Sequence, residues 1–281
     1  MNKVAVIGMV GNSAFLSVER FHTAGETVAA TGIHFEPGGK GFNQAVAAAR
    51  FGAQTAFLGA VGTQCREEIE AFLLKDGIKP VLSMKNEPTA YAAILTDAQG
   101  ANRVTVYQGP RLTVEDVVQF ESCIREADVL LLNNEVPLEV NEKALHIAKE
   151  SGTFVIWNPA PSVKLPEALI EQTDLFTPNE HETEGLHNAK NVVVTLGGEG
   201  CLVRATGQKI PAVKQSCVVD TTGAGDTFNG VLAACLAGGE DLENALPTAM
   251  AAAGLSVTRR YAATGIPYRR ELVLKNDKQH L

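Results

Sequence analysis

The chain has 281 residues, 45% of them hydrophobic and 20% charged, with a formal net charge of −8. That length buries a large core, as one α/β domain or as a domain with an appendage. The acidic balance excludes a nucleic-acid or anionic-membrane partner, whose surfaces need clustered Lys and Arg, so an anionic substrate must be held locally.

The first apolar run, Val4 to Val10, has no small-residue cleavage pattern behind it and reads as a buried strand rather than a signal peptide. No apolar run approaches the roughly 20 residues that span a membrane. Five cysteines, Cys65, Cys123, Cys201, Cys217 and Cys235, are scattered and form no Cys-x-x-Cys pair. They read as reduced, mostly buried thiols of a cytoplasmic protein, with no metal cluster implied.

In chain order, Val4 to Gly8 predicts a strand buried on both faces. Residues 12–35 alternate loosely, as antiparallel strands with one exposed face do. A small-residue helix follows over 43–52, a strand over 55–62 and a helix over 67–76. A second alternating block, 91–96 and 103–107, is joined by Asp97-Ala98-Gln99-Gly100-Ala101-Asn102 and predicts a hairpin. Next come helix 114–126, strand 129–132, helix 140–150, and strands 154–157, 175–177 and 191–196. Between Thr177 and Asn191 there is room only for a short helix around 181–186, so one sheet face is expected to be thinly covered there. A strand pair over 200–213 and helices over 227–237 and 242–258 complete the chain. This βα rhythm implies a parallel sheet with helices on both faces and ligands beyond the carboxyl ends of its strands.

The most informative stretch is Asp220-Thr221-Thr222-Gly223-Ala224-Gly225-Asp226, a small-residue turn that feeds an apolar helix. Backbone N–H groups converge at such a helix start and bind anions. Asp226 adds a carboxylate placed to remove a proton beside a phosphate; a plain capped turn is the alternative reading. The stretch resembles the second signature of the ribokinase-like (PfkB-type) carbohydrate kinase family. The first signature is matched by Gly38-Gly39-Lys40-Gly41-Phe42-Asn43-Gln44-Ala45.

The resemblance spans essentially the whole chain. It implies an α/β, ribokinase-like fold, a mostly parallel central sheet with helices on both faces and a small β-sheet lid. The core would be residues 1–11, 37–88 and 109–281, and the lid residues 12–36 and 89–108, its outer face forming a homodimer interface. The implied reaction is ATP-dependent phosphorylation of a sugar or sugar-like hydroxyl, with ATP, Mg²⁺ and K⁺. Asp226 would be the general base and Gly223, Ala224, Gly225 and Asp226 the anion hole.

Asn179 and Glu182, in Thr177-Pro178-Asn179-Glu180-His181-Glu182, resemble the family's Asn-x-x-Glu motif. They become candidates for nucleotide positioning and for Mg²⁺ held through water, against a helix cap with surface acids. Thr195, Gly197 and Gly200 match a nucleotide-lining turn, with a plain hairpin equally good for any one of them. Asp220 and the Thr222 carbonyl match a monovalent-cation site, against an Asp that stabilises the turn.

Gly39, Lys40, Asn43 and Glu135 match acceptor contacts. Ser13 stands where ribokinases carry a hydroxyl-gripping Asp, which disfavours D-ribose, with Asn12 a conceivable substitute. A nucleoside acceptor fits the loss of that Asp together with Tyr91, Tyr107 and Phe42. A sugar phosphate would need a cation, for which Arg103 is the candidate. A kinase-like binding protein without turnover is the reading from another class.

Gly39-Lys40 is no Walker loop, since His34 stands where its first glycine belongs and Gly41 follows the lysine. His181 and His187 lack zinc-protease spacing and read as surface residues.

Overall fold

The computed structural model describes residues 2–272. The outer ends of the expected core, residue 1 and residues 273–281, lie outside the described residues.

The central sheet has six parallel strands in the order β10-β9-β8-β1-β4-β5: β1 (Lys3–Ile7), β4 (Gln54–Val61), β5 (Lys79–Met84), β8 (Val129–Asn133), β9 (Phe154–Asn158) and β10 (Leu175–Phe176). Beyond β10, two parallel bridges, Phe176 with Val192 and Asn179 with Thr195, attach β11 (Val193–Thr195). An antiparallel extension, β12 (Cys201–Val203) and β13 (Gln208–Ile210), follows.

Alternate residues of β1 enter two separate cores. Val4 and Val6 pack with α1 (Lys40–Arg50), α2 (Arg66–Lys75), α6 (Ala224–Ala237) and α7 (Leu242–Ser256). Ala5 and Ile7 pack with α3 (Val114–Glu126), α4 (Leu138–Ser151) and α5 (Glu167–Gln172). Burial on both faces is what a continuous apolar strand requires.

Two elements have weak sequence signals. β5 contains Pro80, yet among the described residues it pairs with β4 alone, as an edge strand where a missing N–H is tolerated. α5 is too short to show a helical period. The helix expected around 181–186 is only a 3₁₀ turn, Glu180–Glu182, and the sheet there is covered instead by the buried loop residues Leu186 and Ala189. Of the cysteines only Cys201 and Cys235 are buried, fewer than expected; Cys217 is exposed.

A second sheet stands over the carboxyl ends of the strands, ordered β3-β2-β6-β7: β2 (Gly11–Ser17), β3 (Gly32–Gly38), β6 (Ala90–Thr96) and β7 (Asn102–Tyr107). Its two hairpins are antiparallel, but β2 and β6 join them in parallel. Among the described residues no helix is long and apolar enough to cross a membrane.

Close backbone approach explains the small residues of both signatures. A Cβ on Gly41 would lie 2.6 Å from Gly8 Cα, so α1 starts in contact with the end of β1. A Cβ on Gly230 would lie 2.2 Å from the Gln44 carbonyl oxygen, so α6 presses directly on α1. With larger side chains the two helices could not stand close enough for their polar groups to meet.

Candidate active site

The close crossing of α1 and α6 has one polar consequence. Asp226, in the first turn of α6 and only 7% exposed, accepts hydrogen bonds from Asn43 Nδ2 at 3.0 Å and from Gln44 Nε2 at 3.3 Å. Burial pushes the Asp226 carboxyl above its ordinary range; Lys40, Asn43 and Gln44 oppose that rise. The Asn43 Oδ1 and Gln44 Oε1 atoms are buried and find no partner among the described residues. A buried acceptor of this kind calls for a donor, such as a hydroxyl group or a water.

Gln44, which carries no signal of its own in the sequence, starts a buried polar chain. Its Nε2 also donates to Asn158 Oδ1 at 3.2 Å, Asn158 Nδ2 donates to the Thr177 carbonyl at 2.9 Å, and Thr177 Oγ1 donates to Asn229 Oδ1 at 2.5 Å. Asn229 Nδ2 returns to the Gly225 carbonyl at 2.9 Å. The base candidate is thereby linked to the strand end that carries Asn179. Adjacency of Gln44 to Asn43 in the first signature was the only hint in the sequence.

Gly223, at φ +74°, is the N-cap of α6. A Cβ there would lie 3.1 Å from Ala262 Cβ, so the left-handed backbone and the neighbour both favour glycine. The Ala224 amide already donates to the Thr221 carbonyl at 3.3 Å. The amides of Gly225 and Asp226 belong to the first turn, where a helix offers no carbonyl partner.

These groups open on a cavity of about 360 Å³ that also includes Asn179, Glu182, Thr195, Gly197 and Gly200. All the phosphate and nucleotide candidates therefore share one space. Within it Asn179 and Glu182 form a capping box: Asn179 Oδ1 accepts from the His181 amide at 2.8 Å and Glu182 Oε2 from the Asn179 amide at 2.9 Å. A water-bound Mg²⁺ would have Glu182 Oε1 to use.

Lys40 lines this cavity and a second one of about 470 Å³ shared with Gly8, Met9, Val106, Arg111 and Glu135. The Lys40 amide donates to Glu135 Oε2 at 2.7 Å. Burial, and then the charge of Asp226, push the Glu135 carboxyl up to about 7. Gly39, at φ +121°, is the N-cap of α1 and directly precedes Lys40.

Ser13 lies on the inner face of the small sheet, in register with Glu36 and Ala92. Asn12 points to the opposite face and donates to Glu68 Oε2 at 3.2 Å, so it does not replace the missing Asp. Tyr91 and Tyr107 share that outer face, Phe42 is wholly buried against Phe57 and Phe72, and Arg103 stacks on Phe21. None of these four lines the second cavity, whose cations among the described residues are Lys40 and Arg111.

Asp220 lies outside both cavities. Its Oδ1 accepts from the Thr222 amide at 2.9 Å and its Oδ2 from the Tyr261 amide at 3.0 Å, the geometry of a turn-stabilising carboxylate.

The family model for pfkB family carbohydrate kinases matches residues 1–269. The chain belongs to that family. This kinase is 33% identical to a ribokinase of Haemophilus influenzae over 95% of its own length and 96% of the relative's. Its fold superposes on the crystal structure of a Thermotoga maritima ribokinase with a TM-score of 0.88 at 32% identity, covering 98% of this chain and 99% of that one. It superposes on an Arabidopsis thaliana ribokinase complexed with ribose and ATP with a TM-score of 0.85 at 27% identity, covering 97% of each. The kinase is thus an ATP-dependent carbohydrate kinase that phosphorylates a hydroxyl group of a sugar or sugar-like molecule.

Proposed function

We propose that the cavity around Gly223 to Asp226 receives the phosphates of ATP and that the cavity beside Glu135 receives the acceptor, with Lys40 between them. The observation that carries this reading is Asp226: a buried carboxylate, held by amides from the other signature, at the start of a helix whose first amides face the same space. In the proposed reaction an acceptor hydroxyl donates to Asp226, which takes its proton as the oxygen attacks the γ-phosphorus. The first-turn amides and Lys40 stabilise the charge that develops. Asn43 Oδ1 accepts a second hydroxyl and so orients the sugar. Mg²⁺, when bound, neutralises phosphate charge; Glu182 and Asn179 are the residues to hold its waters and the nucleotide.

The same reading makes residues 12–36 and 89–108 a lid that excludes water, places K⁺ beside Asp220 and the Thr222 carbonyl, and assigns the kinase to the cytoplasm. The Arabidopsis relative is complexed with ribose and ATP, which makes ribose the first acceptor candidate. Ser13 in place of a carboxylate favours an acceptor gripped less tightly there, and a ribonucleoside is the second candidate.

The test is ADP formation with ATP, Mg²⁺ and K⁺ over a panel of pentoses, hexoses, sugar phosphates and nucleosides, with Asp226→Asn beside the wild type. We expect one acceptor class to turn over and the variant to lose on the order of 10²–10⁴-fold in kcat. Full activity in Asp226→Asn would sink the base assignment. ATP binding without turnover of any acceptor would favour a binding protein.

A further inference from the structure

One buried carboxylate has no part in the scheme above. Glu36, on β3, is 3% exposed, and its side chain crosses to the loop that follows α7. Oε1 accepts from the amides of Ala262 at 2.9 Å and Ala263 at 3.2 Å; Oε2 accepts from the Thr264 amide at 3.0 Å and its Oγ1 at 2.8 Å. His34, on the same face of β3, stacks on Tyr261 with ring centroids 3.8 Å apart, its Nε2 3.5 Å from Glu36 Oε2.

From the other side Arg50 Nη1 donates to the carbonyls of Ala263 at 2.9 Å and Ile266 at 2.7 Å. The loop's amides are thus held by the small sheet and its carbonyls by α1. Tyr261, at φ +71°, is bent so that its amide reaches Asp220, and Ala262 rests against Gly223. The residues touched by this loop are those that shape the start of α6.

We infer that Glu36 is a positioning residue for the phosphate-binding loop: its carboxylate fixes residues 261–264, and these fix Gly223 and hence the amides that follow it. The inference rests on the anion-hole reading above. Only a group that accepts on both oxygens suits the convergence of three N–H donors and one O–H. The same short segment of chain then serves both halves of the reaction, since Glu36 precedes by a few residues Lys40 and Asn43 on the acceptor side. A displacement of β3 would be transmitted to the amides of α6.

The test is Glu36→Gln, which sets an NH₂ against an N–H donor. Hydrogen exchange is measured in peptides covering 261–266 and 219–228, together with steady-state kinetics. We expect exchange to rise about tenfold or more in both segments, and kcat to fall on the order of ten- to a hundredfold while the KM for ATP stays within a few-fold. Thr264→Val, which removes one of the four contacts, should move the same quantities less, and it serves alone should Glu36→Gln fail to fold. Exchange that rises only in 261–266, with kcat unchanged, would overturn the inference and leave Glu36 a local brace. The exchange readout needs no turnover, so it stands or falls separately from the Asp226→Asn result.

Discussion

A carboxylate enclosed beside another carboxylate is costly to ionise, and Glu135 is in that position. Its pKa is about 7 in the folded chain against 4.5 ordinarily, because burial and Asp226 both disfavour the charge. The folded state therefore holds this proton more tightly than the unfolded state does. The stability that Glu135 lends when protonated is present at pH 4 and is lost as pH rises from about 4.5 to 7, on the order of 3 kcal/mol in all. Glu135→Gln, which cannot ionise, should be more stable than wild type at pH 8 and show no gain at pH 4.5. Urea unfolding at the two pH values checks this; equal differences at both would mean that solvent reaches the carboxyl. The same variant should weaken acceptor binding, because an amide accepts less strongly from hydroxyl donors. That Glu135 and Asp226 sense each other could not be read from residues ninety-one apart in the chain. Asp226 itself was legible, since a carboxylate after Gly-Ala-Gly at a helix start is a local pattern.

At the scale of elements, the site exists because α1 and α6 touch through backbone. Gly230→Ala would bring a methyl to 2.2 Å from the Gln44 carbonyl oxygen and 2.6 Å from Ala47 Cβ. The helices must then separate, which overpacking data place at about 1–3 kcal/mol of lost stability. Gln44 and Asn43 move away from Asp226 at the same time, so kcat should fall more than the loss of stability alone explains. Measuring kcat at a temperature where the variant is fully folded separates the two effects; unchanged kcat would mean that the hydrogen bonds to Asp226 survive the shift. Element order and the two signatures were legible in the sequence because buried strands and glycine turns leave local patterns. Gln44, Asn158, Thr177 and Asn229 were not, because a polar network between four elements leaves no period. The misplacement of Tyr91, Tyr107 and Arg103 has another cause: strand alternation shows that two faces exist without saying which one looks inward.

For the whole molecule, that choice of face decides what the small sheet leaves uncovered. Its outer face carries Ile33 at 58% exposure, Phe35 at 56%, Tyr107 at 49% and Tyr91 at 40%, all on one side by register. Apolar side chains grouped this way on a sheet mark a protein contact more often than scattered ones do. Self-association through this face would bury the four together and bring two such sheets into one layered core, as sheet packing requires. A charge at its centre should prevent that, because an ion enclosed there without a partner costs several kcal/mol. Phe35→Asp should therefore convert a dimer to a monomer by light scattering at micromolar concentration. Glu36, next along the strand, points to the other face, so the fold of the site and the exchange of residues 261–266 should not change. A wild type that is monomeric up to high concentration would assign the patch to another partner. A Phe35→Asp variant that stays dimeric would place the interface elsewhere on the chain.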